Sequence, residues 1–109
     1  LLALPNKPTA VFVTNYEMTL GAILALNEDG VNVPDDLSLL GFDKLDQFGV
    51  LYPELTLVKQ PQNAIGECAA NQMLALLGCG DTVPVHQVIT LSTQLFEAKS
   101  VRRLNTEKA

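Results

Sequence analysis

Ala10-Val11-Phe12-Val13 is an uninterrupted apolar run that stops at Thr14 and Asn15. A run without polar alternation suits a strand buried on both faces of a parallel sheet. A helix is expected directly after it. Thr14-Asn15-Tyr16-Glu17 has the form of a capping box, with the glutamate three residues after the threonine. Along that helix Leu20, Ile23, Leu24 and Asn27 form one stripe, and Met18, Ala22, Ala25 and Leu26 form another. Two stripes imply contacts on two sides, one with the sheet and one elsewhere. Asp29-Gly30 closes the helix, with the glycine as its left-handed cap.

Val33-Pro34-Asp35-Asp36 reads as a turn, and Leu37 to Phe42 as a second apolar strand that ends at Asp43. Strand, helix, strand is a βαβ unit, whose crossover is right-handed almost without exception. Residues 44–52 read as a loop with a short helix whose apolar side is Phe48, Leu51 and Tyr52, broken by Pro53. Leu55-Thr56-Leu57-Val58 is a third strand, ending at Lys59-Gln60. Pro61 opens a second helix, at the first helical position that proline favours. Ile65, Ala69, Met73, Leu76 and Leu77 make its apolar face, and Gly78 and Gly80 end it. Val85 to Phe96 reads as a last, longer strand with partial alternation. The expected fold class is α/β, a parallel sheet with flanking helices, without internal repeats.

Composition narrows the function. The chain has 109 residues, enough for one domain. Apolar residues make up 48% and charged residues 17%, below the usual proportion of charge. Part of the apolar surface is therefore expected to meet a partner or other parts of the same protein. The net charge of −5 opposes a phosphate backbone, so this segment is not expected to touch nucleic acid. Lys99, Arg102, Arg103 and Lys108 are the densest basic group, but Glu97 and Glu107 beside them favour a solvated tail. Cys68 and Cys79 lack metal-finger spacing and read as small core hydrophobes in a reduced, cytoplasmic setting. No metal site or cofactor is expected. Leu1 to Leu4 has neither the basic region nor the cleavage site of a secretion signal, and no apolar run is long enough for a membrane span.

The residues just past the strands carry the candidate chemistry, because open parallel sheets bind ligands beyond the carboxyl ends of their strands. Asn15 follows the first strand, Asp43 the second and Gln60 the third. Two amides and a carboxylate suit sugar hydroxyls, since the carboxylate accepts and each amide both donates and accepts. Tyr16 and Phe42 could supply a flat apolar wall. Asn15 and Gln60 equally sit where helix N-caps sit, and Asp43 where it could bond loop amides. No nucleophile elbow, phosphate loop or dinucleotide fingerprint is present, His86 has no recognisable catalytic partner, and Asp35-Asp36 reads as solvated turn chemistry. No enzyme is expected.

In this order the segments resemble the LacI/GalR family of bacterial transcription regulators. The resemblance lies in Pro8 to Asn15 followed by Met18-Thr19-Leu20-Gly21-Ala22, in Val33-Pro34-Asp35-Asp36-Leu37-Ser38-Leu39-Leu40-Gly41-Phe42-Asp43, in Leu55 to Pro61 followed by Ile65-Gly66, and in Leu95 to Ser100. It implies a periplasmic-binding-protein-like type I fold of two lobes around a ligand cleft, of which this chain corresponds to the last third. Residues 8–59 and 85–101 would belong to the carboxyl-terminal lobe, and 60–80 to the crossover and a helix of the other lobe. It also implies a small-molecule effector, a sugar or sugar derivative, with Asn15, Tyr16, Asp43 and Gln60 as its contacts. The family commonly has Asp where this chain has Tyr16 and Arg where it has Ala98. A homodimer interface is implied at Leu20, Leu24, Phe48, Leu51 and Tyr52, and DNA contact only through an amino-terminal helix-turn-helix outside this segment. A periplasmic sugar-binding protein of a transporter shares the fold and is the alternative.

Overall fold

The computed structural model describes residues 1–43, 54–82 and 86–105. The described elements run β1 (Ala10–Phe12), α1 (Tyr16–Glu28), β2 (Ser38–Phe42), β3 (Thr56–Lys59), α2 (Gln62–Gly78) and β4 (Gln94–Phe96). The four strands lie in the order β1-β2-β3-β4. Both β1–β2 and β2–β3 are parallel pairs, with Phe12 opposite Leu40 and Phe42 opposite Val58. The chain divides into two compact units, one of residues 1–59 together with those from Leu95 onward, the other Gln60–Gln94.

In the first unit, alternation decides which side of the sheet is the core. Val13, Leu37, Leu39, Leu55 and Leu57 share one face by strand parity, and all are buried together with Ile23 and Leu26 of α1. Leu39, at 1% exposure, is the centre of this layer. The opposite parity is less covered: Phe12 is half exposed, and Leu40, Phe42 and Val58 are partly so. The expectation of strands buried on both faces therefore holds best on the core face; on the other, Ser38 and Thr56 are buried while Phe12, Leu40, Phe42 and Val58 are not.

Several local expectations shift. The cap of α1 is Asn15 rather than Thr14: its extended backbone (φ −148°, ψ 166°) precedes the helix, and its side-chain oxygen accepts the Met18 N–H at 2.8 Å. The cause is the strand before it, since the Val13 N–H still bonds the Leu40 carbonyl at 2.9 Å, so the chain cannot turn helical until after Thr14. The buried face of α1 is Thr19, Ile23 and Leu26, which takes one member from each apolar stripe. Met18 and Leu24 stay exposed, as a helix touching the sheet along a single line would leave them. The other end of α1 follows expectation. Gly30 is left-handed at φ 67°, Gly30 N–H bonds the Asn27 carbonyl and Val31 N–H the Leu26 carbonyl, the two bonds of a Schellman motif.

The turn before β2 contains a cis Val33–Pro34 peptide. Asp36 organises it, its carboxylate accepting the Asn32 N–H at 2.8 Å and the Asn32 side-chain amide at 3.1 Å. Asp35-Asp36 is thus turn chemistry, as expected.

In the second unit Pro61 is the cap of α2 rather than its first residue, and no residue of α2 is buried. The face predicted from Ile65, Met73, Leu76 and Leu77 is exposed. A cavity of about 470 Å³ lies between Ile65, Cys68, Ala69 and Gln72 of the helix and the 87–91 segment, where Gln72 donates to Gln87 at 2.9 Å. The long strand expected over 85–96 shrinks to Gln94–Phe96, and the described residues before it carry no ladder. Its alternation was only partial, and Val88 and Ile89 are exposed, so burial does not hold them extended. Val85 and the short helix expected within 44–52 lie outside the described residues, as do Glu107 and Lys108 of the basic tail. No described helix is long and apolar enough to cross a membrane.

Candidate functional site

The carboxyl edge of the parallel sheet is built by three local devices: the cap of α1, a close approach at Gly41 and a left-handed Asp43. Asn15 lies three residues beyond Phe12, and Asp43 three beyond Leu40, the register partner of Phe12. The two residues therefore leave adjacent strands at the same level. Tyr16 is the first residue of α1 and sits partly buried beside Asn15 in sequence.

Gly41 lets α1 come down onto this edge. A Cβ there would lie 2.5 Å from Leu57 Cδ2 and 2.9 Å from Thr19 Cγ2. Thr19 is 2% exposed and its hydroxyl donates to the Asn15 carbonyl at 2.7 Å. One contact thus ties the first turn of α1 to β2, and with it the position of Asn15. Any side chain larger than hydrogen at Gly41 would push the two apart.

Asp43 ends β2 with φ 64°, a left-handed conformation that Asp tolerates better than most residues. Its N–H still donates to the Val58 carbonyl at 2.8 Å, so the turn begins only after the ladder is complete. This fixes where the carboxylate departs from the sheet. The register also brings Lys59 level with Asp43, one residue past the Phe42–Val58 pair. That cation was not singled out from the sequence; only the register reveals it. Gln60 follows β3 directly and is the first residue of the second unit. Its carbonyl accepts the Gln62 N–H at 2.9 Å at the start of α2.

Asn15 is therefore a helix cap and a candidate ligand contact at once. Its side-chain oxygen is engaged by Met18, and its amide group adds two donors. Of the two rings expected to form a flat wall, Tyr16 and Phe42, Phe42 packs edge-to-face on Phe12, with ring centroids 6.4 Å apart at 67°. Both rings leave the sheet on the face opposite the core, because Phe12, Leu40 and Phe42 share parity. Phe12 was missed in sequence because parity between strands is invisible until the register is known.

Of the interface expected from the resemblance, Leu24 is 56% exposed and Leu20 partly so, while Phe48, Leu51 and Tyr52 lie outside the described residues. His86 is exposed. Among the described residues no three His, Cys, Asp or Glu side chains come together as a metal site. Among the described residues one electrostatic perturbation is clear, and it lies away from this edge: the Asn32 backbone N–H, and then its side chain, hold the Asp36 carboxyl below the ordinary aspartate range.

Residues 1–101 match the periplasmic binding protein-like domain. The chain is 41% identical over 106 residues to the probable HTH-type transcriptional repressor ExuR of Bacillus subtilis, covering 97% of this chain and 31% of that protein. The lac repressor dimer bound to operator and the anti-inducer ONPF superposes with a TM-score of 0.72 at 31% identity, over 86% of this chain and 32% of that one. A LacI family regulator, CCPA of Weissella paramesenteroides with bound sucrose, superposes with a TM-score of 0.72 at 35% identity, over 89% of this chain and 33% of that one. The chain thus spans about a third of the length of these proteins.

Proposed function

The chain belongs to the LacI/GalR family of transcription regulators, within their periplasmic binding protein-like domain, and from that premise we propose that it is the effector-sensing and dimerisation module of a DNA-binding regulator. The effector is a sugar or a similar small metabolite, held from the carboxyl edge of the sheet by Asn15, Asp43 and Gln60, with Tyr16 bordering them. The observation that carries this reading is the equal register of Asn15 and Asp43 beyond two adjacent parallel strands, the place where such sheets bind ligands.

The chemistry fits. Asp43 offers acceptors for hydroxyl donors, and the Asn15 amide offers donors to ring or hydroxyl oxygens. The relatives described above are repressors and regulators, which favours this reading over a transporter's solute-binding protein. The role is one of binding, not catalysis, and its setting is the cytoplasm, where the parent protein would meet DNA through a helix-turn-helix outside this segment. The homodimer surface in this reading is Leu20 and Leu24 of α1 together with Phe48, Leu51 and Tyr52, as the resemblance implies.

Fluorescence anisotropy with the parent-length protein and duplex DNA from its own promoter region tests the proposal, with a panel of pentoses, hexoses and their acids and phosphates as probes. At least one compound should change the apparent DNA affinity. The 109-residue chain alone, with its charge of −5, should give no salt-sensitive shift. Parent-length protein that binds no DNA under any condition would refute the regulator reading.

A further inference from the structure

The segment after β4 fills the fork between the amino ends of β2 and β3. Ser100, fully buried, donates its hydroxyl to the Leu39 carbonyl and accepts the Thr56 N–H at 2.8 Å. The Leu39 N–H donates to the Ser100 carbonyl at 2.8 Å. The Thr56 hydroxyl accepts the Ala98 N–H at 3.0 Å, and the Arg102 N–H donates to the Ser38 hydroxyl at 3.1 Å. The basic stretch expected to be a solvated tail is therefore fixed to the sheet as far as Arg102. Beside it lies a cavity of about 450 Å³, which Leu40, Leu95 and Val101 line with apolar surface and Glu97, Arg102 and Arg103 with charge. Leu40 shares the parity of Phe12 and Phe42, so the cavity lies on the face of the sheet opposite the core. These residues all belong to the first unit.

We infer that this cavity binds a small monocarboxylate with an apolar body. A guanidinium presents a planar donor fork that matches a carboxylate, and two of them border the cavity on consecutive residues. The bonds that hold Ser100 and Arg102 fix the backbone beneath them, so less freedom is lost when a ligand is clamped. Leu95 and Val101 are 58% and 45% exposed, so an apolar body laid over them and Leu40 removes their surface from water. Glu97 limits the charge. Two guanidiniums and one carboxylate leave one net positive charge, which a single carboxylate matches. A phosphate monoester, with a charge of about −2, would meet both Glu97 and the chain's net −5. Neither Asn15 nor Asp43 lines this cavity. The site is separate from the carboxyl edge and stands or falls independently of the effector proposal.

Phenylacetate titrated into the 109-residue chain with labelled methyl groups tests the site by NMR. The Leu40, Leu95 and Val101 methyls should shift along one saturating curve, while those of Ile23 and Leu57 in the core hold their positions. Phenylacetamide keeps the ring and loses the charge, and should bind at least about tenfold more weakly. Inorganic phosphate should not saturate the same methyls up to about 50 mM. Arg103→Gln, at an exposed position, should weaken phenylacetate about tenfold, and Arg103→Lys should recover only part of that loss. Equal affinity for phenylacetamide, or phosphate binding as tightly as phenylacetate, would overturn the proposal. So would methyls that do not move up to about 50 mM phenylacetate, or a folded Arg103→Gln chain with unchanged affinity.

Discussion

Gly41→Ala tests the link between packing and the carboxyl edge. The added methyl would sit 2.5 Å from Leu57 Cδ2 and 2.9 Å from Thr19 Cγ2, both far inside ordinary contact distance. Leu57 can swing its tip, though it is only 6% exposed. Thr19 has less freedom: it is β-branched on a helix, and its hydroxyl is fixed to the Asn15 carbonyl at 2.7 Å. Rotating its methyl away would forfeit that hydrogen bond, worth about 0.5–1.5 kcal/mol. Overpacking of a closed core costs about 1–3 kcal/mol. The expected loss is therefore about 2–3 kcal/mol, read as a lower urea midpoint at unchanged slope. Thr19→Ser removes the clashing methyl and keeps the hydroxyl. Alone it should cost about 0.8 kcal/mol for one buried carbon, yet in the Gly41→Ala background it should restore stability, a favourable coupling of about 1 kcal/mol or more. A loss below about 0.5 kcal/mol for Gly41→Ala, or strict additivity of the pair, would refute the argument that α1 rests on Gly41.

Ser100→Ala should destabilise the first unit by at least about 2 kcal/mol in urea unfolding, because it strands the buried Leu39 carbonyl and Thr56 N–H, each costing about 1–3 kcal/mol; a near-neutral result would mean that water replaces the hydroxyl. The Asp36 carboxyl, held low by the Asn32 N–H, stabilises the turn above the ordinary aspartate value of about 3.9, and that contribution fades as pH falls through the lower folded value. The Asn32 amide resonance should therefore titrate with a midpoint below that value, and Asp36→Asn should abolish the titration. Self-association is expected from the exposed apolar side chains of α1, so light scattering should show a concentration-dependent mass that Leu24→Glu shifts towards the monomer; an unchanged mass would remove α1 from the interface.

The strands and helices were legible where pattern and chemistry agreed. The apolar runs around Val11, Leu39 and Leu57, the Gly30 stop and the polar residues past each strand could all be placed from sequence alone. The capping box pointed to Thr14 and the place after the strand to Asn15, and spacing could not choose between them, because the ladder bond of Val13 that delays the helix is a tertiary fact. The stripes of α1 blurred because its contact line mixes them and includes the polar Thr19, whose hydroxyl is satisfied internally. Ser100 was invisible for a similar reason: a serine in a sparse, charged tail carries no signal that it closes a fork between strands more than forty residues away. The aromatic pair of Phe12 and Phe42 needed the register, as did the level placement of Lys59 with Asp43.

The carboxyl edge as an effector site is tested most directly at Asp43 by isothermal calorimetry on the parent-length protein, with whichever sugar compound alters its DNA affinity. Asp43→Gly is the suitable variant, because glycine is at home at φ 64° and the loss then reports the carboxylate rather than a strained backbone. Affinity should fall by about 1.5–3 kcal/mol, the range for hydrogen bonds to a charged group, which is roughly tenfold to a hundredfold and more in Kd. An unchanged Kd with the variant folded would contradict the assignment of the site.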